Sequence, residues 1–118
     1  MPGMMPFLSN KGWHPPIDVY ETEREIIIYV ETAGVDPANL AVVAETNSVR
    51  ISGKRQRPIK EQVCRIHQLE IDHGFFQRTI ILSVPVDVEK TTSSYKDGFL
   101  EIRLPKAAMK GKVRIEIA

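Results

Sequence analysis

Apolar and polar residues alternate with period two along most of this chain, the spacing that puts every second side chain of an extended segment on one face. In residues 25–32, Ile26, Ile28 and Val30 share one face and Ile27 and Tyr29 the other, which predicts a strand buried on both sides. Leu40, Val42 and Ala44 alternate next, Thr46-Asn47-Ser48 turns the chain, and residues 49–53 return as the second arm of a hairpin. Phe76, Arg78, Ile80 and Leu82 stand in phase in another segment, which the run Pro85-Val86-Asp87-Val88 then breaks. A second hairpin joins residues 91–95 to residues 99–104 through Lys96-Asp97-Gly98, with Leu100, Ile102 and Leu104 as its inward set. Residues 17–21 add a short strand, and Asp36 before Pro37 is placed to cap a single turn. About seven to nine short strands and no helix beyond a turn predict an all-β sandwich.

Three stretches depart from that pattern. Residues 1–16 combine Pro2, Pro6, Pro15 and Pro16 with Met1, Met4, Met5, Phe7, Leu8 and Trp13, so the segment builds neither a helix nor a central strand. It is either a frayed terminus or a mobile apolar arm whose methionines mould to varied surfaces. Residues 54–68 form a polar excursion of a length that compact domains seldom carry without a function, with a short strand expected at Val63-Cys64-Arg65-Ile66-His67. At the end, Val113-Arg114-Ile115-Glu116-Ile117 alternates again, after a tether at residues 107–112 that holds no hairpin signal. This stretch is either the last strand of the domain's own sheet or a strand whose partner lies on another chain.

Composition narrows the field. A chain of 118 residues is long enough to close one core unaided, and its single cysteine, Cys64, excludes an intrachain disulfide and fits a reducing, cytoplasmic setting. A formal net charge of +1 gives no global field for nucleic acid or an anionic membrane. No apolar run reaches the ~20 residues of a membrane span, and the first residues lack the basic start of a signal peptide.

Enzymatic signals are weak. No phosphate-binding glycine loop or nucleophile elbow occurs, and His14, His67 and His73 sit in separate segments without ligand spacing, so no catalytic group, metal or cofactor is expected. Cys64 beside Arg65 and His67 reads more simply as a strand cysteine than as a nucleophile. The basic runs Lys54-Arg55-Gln56-Arg57 and Arg103, Lys106, Lys110, Lys112, Arg114 have no interleaved aromatics, so they read as solvated charge rather than a strand-binding groove for nucleic acid. Arg78 alone disturbs an apolar face. Its guanidinium either snorkels to the rim of the sheet or joins a hydrogen-bonded cluster at a subunit interface.

The order of certain residues resembles the alpha-crystallin domain of small heat-shock proteins, of the bacterial and plant type. The residues are Pro16-x-Asp18-Val19-Tyr20-Glu21-Thr22, then Glu31-Thr32-Ala33-Gly34-Val35, then Val49-x-Ile51-x-Gly53. Gly74-x-Phe76-x-Arg78-x-Ile80-x-Leu82 and Tyr95-Lys96-Asp97-Gly98-Phe99-Leu100-x-Ile102-x-Leu104-Pro105-Lys106 follow, and Ile115-Glu116-Ile117 is similar to the family's I-x-I motif. Ser83 stands where the family usually has proline, and Ser93 and Phe99 where its A-x-x-x-x-G-V-L signature has alanine and valine.

The resemblance implies an immunoglobulin-like β-sandwich over residues 16–106, a short flexible arm over residues 1–15 and a C-terminal extension over residues 107–118. It implies an ATP-independent holdase that binds unfolding client proteins and assembles with itself as a dimer and a higher homo-oligomer. The loop strand would be exchanged onto the partner's first strand, placing Ile17, Val19, Tyr20, Cys64, Ile66 and Arg78 at the dimer interface. Leu40, Val42 and Ala44, facing Ser93 and Tyr95, would line a groove for Val113, Ile115 and Ile117 of a neighbouring chain. Met4, Met5, Phe7, Leu8 and Trp13 would form the client-capture arm. The competing reading is a monomeric co-chaperone adaptor on a related sandwich, which needs neither the exchange loop nor the terminal motif.

Overall fold

The structure, a computed structural model, describes residues 12–108 and 115–118. Among the described residues seven strands form two antiparallel sheets: β1 (Ile17–Glu21), β2 (Glu25–Glu31), β3 (Ala41–Glu45), β4 (Ser48–Arg55), β5 (Gly74–Ile81), β6 (Thr92–Lys96) and β7 (Phe99–Pro105). One sheet has the order β1-β2-β7-β6 and the other β3-β4-β5. Single 3-10 turns at Pro37–Asn39 and Val88–Lys90 are capped by Asp36 and Asp87, whose carboxylates accept from the backbone N–H of Ala38 and Glu89. None of the helical elements among the described residues is long and apolar enough to cross a membrane.

The alternation read from the sequence fixes the inner faces. Ile26, Ile28 and Val30 of β2 pair with Leu104, Ile102 and Leu100 of β7, and all six are buried. Val49 and Ile51 of β4 and Phe76 of β5 meet them from the other sheet, and Leu82 and Val86 close one end. The second hairpin turns on Asp97 and Gly98, with φ of 53° and 82°, the left-handed pair that matches the twist of a two-residue connection. The second face of β2 differs from expectation. Ile27 and Tyr29 are only half-buried, covered by side chains of the same sheet: Tyr20 meets Tyr29 edge-on at 6.2 Å. No further layer lies over them among the described residues, so β2 is buried on one face and merely sheltered on the other.

Two larger departures concern the irregular stretches. Trp13, expected in a mobile arm, is 5% exposed and lies in the core, edge-on to Phe76 at 5.3 Å. Its backbone N–H donates to Phe75 O at 3.0 Å, so the packed body begins before Pro16. The strand expected around Cys64 is absent, since residues 56–73 carry no regular secondary structure. A strand exists only where a neighbour accepts its backbone hydrogen bonds, and within one protomer this segment has none.

Candidate functional site

Residues with candidate roles fall on the flanks of the sandwich. Residues 12–16 run from the edge of β5 to the start of β1: Trp13 N–H bonds Phe75 O, and Arg78 Nη1 donates to Pro15 O at 2.8 Å. Glu31 N–H of β2 then donates to Pro16 O at 3.1 Å. β1 and β5 therefore border one flank, and the opposite edge strands, β3 and β6, border the other.

On the β3–β6 flank, the register shows which side chains turn inward. Val42 and Ala44 are paired with the buried Ile51 and Val49, while Ser93 and Tyr95 are paired with the buried Ile102 and Leu100. Leu40, Val42, Ala44 and Tyr95 are half-buried against the core, and Ser93 is exposed. The Tyr95 hydroxyl donates to Thr32 O at 2.8 Å, which anchors the ring. Leu40 packs close to Gly53, where an added Cβ would lie 2.9 Å from Leu40 Cδ2 and 2.7 Å from Phe76 Cε1.

On the β1–β5 flank, β1 has β2 as its only sheet neighbour among the described residues. Val19 points to the inner side of its sheet opposite Ile28 yet is 46% exposed, because the three-stranded sheet does not reach over it. Ile17 is half-buried and Tyr20 exposed, its hydroxyl donating to Asp18 at 3.3 Å. The adjacent Asp18 carboxylate raises the Tyr20 pKa. Cys64 is exposed and Ile66 half-buried in the long loop. One protomer does not pair these loop residues with Ile17, Val19 and Tyr20. Arg78 is half-buried and satisfied within its own chain by Pro15 O.

Alternation could not single out Ile59, Leu69 and Ile71, which the long loop also leaves exposed, Ile71 at 66%. Ile115 and Ile117 are 85% and 99% exposed, so neither belongs to the domain's own sheet. Val113 and the arm residues Met4, Met5, Phe7 and Leu8 lie outside the described residues.

Charge is more engaged than the sequence suggested. Arg103 pairs with Glu25 at 2.6 Å and with Glu101, and Lys106 with Glu21 at 2.7 Å, all bridging positions on the four-stranded sheet or its edge. Arg55 donates from Nε to Asp72 O at 2.9 Å and from Nη1 to Ala33 O at 3.0 Å, and partial burial lowers its pKa. His73 lies at the foot of the loop, with Nδ1 2.9 Å from Ile71 O. A carbonyl only accepts, so Nδ1 carries the proton, and partial burial lowers the ring's pKa. Among the described residues no three His, Cys, Asp or Glu side chains converge as metal ligands would.

This arrangement has close counterparts. Residues 18–118 match the model of the Hsp20/alpha crystallin family. The chain is 33% identical over 110 residues to small heat shock protein C4 of Rickettsia felis, covering 93% of this chain and 68% of that protein. Spore protein SP21 of Stigmatella aurantiaca is 32% identical over 117 residues, covering 96% and 69%. Among solved structures, heat shock protein 16.0 from Schizosaccharomyces pombe superposes with a TM-score of 0.75 at 26% identity, covering 90% of this chain and 97% of that one. A small heat-shock protein from Xylella fastidiosa, described as having a distinct high order structure, gives 0.74 at 28% identity with the same coverage. The match of sandwich, strand order and sequence over nearly the whole chain places this protein in the Hsp20/alpha-crystallin family of small heat-shock proteins, a family of chaperones.

Proposed function

We propose that the protein is an ATP-independent holdase, acting in the cytoplasm, which binds unfolding proteins and keeps them from aggregating. Its building block is a dimer made by loop exchange, and C-terminal tails docked into the β3–β6 groove join dimers into a larger assembly. The observation that carries this reading is the complementary pair of apolar features on one chain. Ile115 and Ile117 are exposed, while Leu40, Val42, Ala44 and Tyr95 present half-buried apolar surface along a flank bordered by two sheet edges. An edge offers unpaired backbone groups to an incoming strand, and the inward side chains offer it pockets.

The loop supports the dimer in the same way. Ile59, Val63, Leu69 and Ile71 are exposed on a segment without a sheet, and β1 is an open edge with Val19 and Tyr20 exposed beside it. Pairing the loop of one subunit with β1 of the other covers both and satisfies their backbone groups. Arg78, on this flank, steadies residues 12–16 through Pro15 and so holds the entry to β1 in place.

Light scattering of a model client, heated without nucleotide beside the purified protein, tests the function. Scattering should fall in proportion to added protein and should not respond to ATP. A client that aggregates undiminished at several temperatures would sink the holdase reading.

A further inference from the structure

Arg55 is the last residue of β4 and pairs in register with Gly74, so the two form the neck from which residues 56–73 leave and return. Its guanidinium joins three segments. Nε and Nη2 both donate to Asp72 O on the returning stem, and Nη1 donates to Ala33 O after β2. Trp13 covers the same group, with its ring centroid 3.7 Å from Arg55 Cζ, close enough for face-on stacking of the cation. Trp13 also lies near the first of the described residues, held by Phe75 O on one side and Phe76 on the other.

We propose that Arg55 and Trp13 form a clasp that couples the root of the N-terminal segment to the neck of the long loop, so that lifting Trp13 loosens the loop. The indole covers one face of the half-buried guanidinium, and hydrogen bonds that water contests less are stronger. Once Trp13 leaves, water competes for the Arg55 donors and for Asp72 O together. The neck then keeps only its backbone pairing. A client that engages the preceding residues and draws Trp13 off the core thereby loosens the loop as well. The coupling is a property of one chain and does not depend on loop exchange between subunits. A mass measurement reports on the exchange and the experiment below on the clasp, so either can fail alone.

Trp13 is the single tryptophan of the chain, so its fluorescence reports directly on the clasp. In the whole 118-residue chain, Arg55→Gln should shift the emission to longer wavelength. Amide hydrogen exchange at the neck, in residues 53–55 and 74–76, should become about two- to thirtyfold faster relative to amides of β2 and β7, the span of one cation–π contact from exposed to desolvated. Trp13→Leu should raise the same ratio although Arg55 is untouched. Trp13→Phe, which keeps a ring against Phe76, should raise it less. In the double variant the two effects should fall short of additive, as expected for partners in one contact. An unchanged ratio in both Trp13 variants would overturn the clasp. So would additive effects in the double variant, or an Arg55→Gln protein whose neck amides exchange faster while Trp13 emission stays put.

Discussion

Gly53 shows how tightly single positions are set on the flank that carries the proposed groove. Its φ is not in the left-handed region, so the constraint is space rather than backbone conformation. A Cβ there would sit 2.7 Å from Phe76 Cε1, 2.9 Å from Leu40 Cδ2 and 3.0 Å from the carbonyl oxygen of Asn39. Leu40 can turn away, but Asn39 O belongs to the backbone of the capped turn at Pro37–Asn39 and Phe76 is wedged against Trp13. Gly53→Ala should therefore destabilise the domain by about 1–3 kcal/mol, the usual cost of overpacking, seen as a lower urea midpoint at unchanged slope. Gly12→Ala is the control, since its Cβ would meet only Phe75 O at an ordinary 3.8 Å and should leave the midpoint where it is. Arg55 belongs to the same scale. It was hidden in a basic run that reads as solvated charge, because nothing in Lys54-Arg55-Gln56-Arg57 distinguishes the residue whose partners, Trp13, Ala33 and Asp72, are remote in sequence.

Among the elements, what was legible and what was not divides along one line. A strand that pairs with its neighbours in the same chain shows its inward face in the spacing of its own residues, as Ile26, Ile28 and Val30 do, and as Leu100, Ile102 and Leu104 do. The inward turn of Val42 and Ala44 followed from the same phase, whereas that of Tyr95 came only with the family resemblance. Alternation cannot say what lies beyond the strand, so Ile27 and Tyr29 suggested a second buried face where only neighbouring side chains shelter them. Trp13 was misplaced because its burial depends on contacts with residues remote in sequence, Phe76 and Arg55. Residues 56–73 form no strand in one protomer, and none of them belongs to the buried core. Replacing residues 59–70 with a short Gly-Ser turn should therefore leave the seven strands folded, with an unchanged far-ultraviolet circular dichroism spectrum. If the loop makes the dimer, sedimentation of this variant, carried out with both tail isoleucines changed to alanine, should give about half the mass of the same tail variant with its loop intact. An equal mass for the two would mean that the subunits meet elsewhere.

For the whole molecule the relevant quantity is how weakly any one tail can hold. Ile115 and Ile117 together offer roughly 3–6 kcal/mol of gross burial, at the ~1.5–3 kcal/mol usual for one such side chain. Association and ordering of the tail cost on the order of 4–15 kcal/mol, so a single tail in a single groove leaves little or no surplus. An assembly built from such contacts must gain its stability from several tails engaged at once, through the high effective concentration that already-joined dimers give one another. Two properties follow from that design. In the proposed assembly subunits would leave and return readily, and each departure would uncover Leu40, Val42, Ala44 and Tyr95 together with a free tail, which is apolar surface suited to a client. Removing the anchors should act cooperatively rather than in proportion. Ile115→Ala with Ile117→Ala should collapse the assembly towards dimers, while Ile117→Ala alone should give a particle whose size falls steeply on dilution. Light scattering across a dilution series separates these cases, and a double variant that keeps the wild-type size at every concentration would show that the tails do not hold the assembly together.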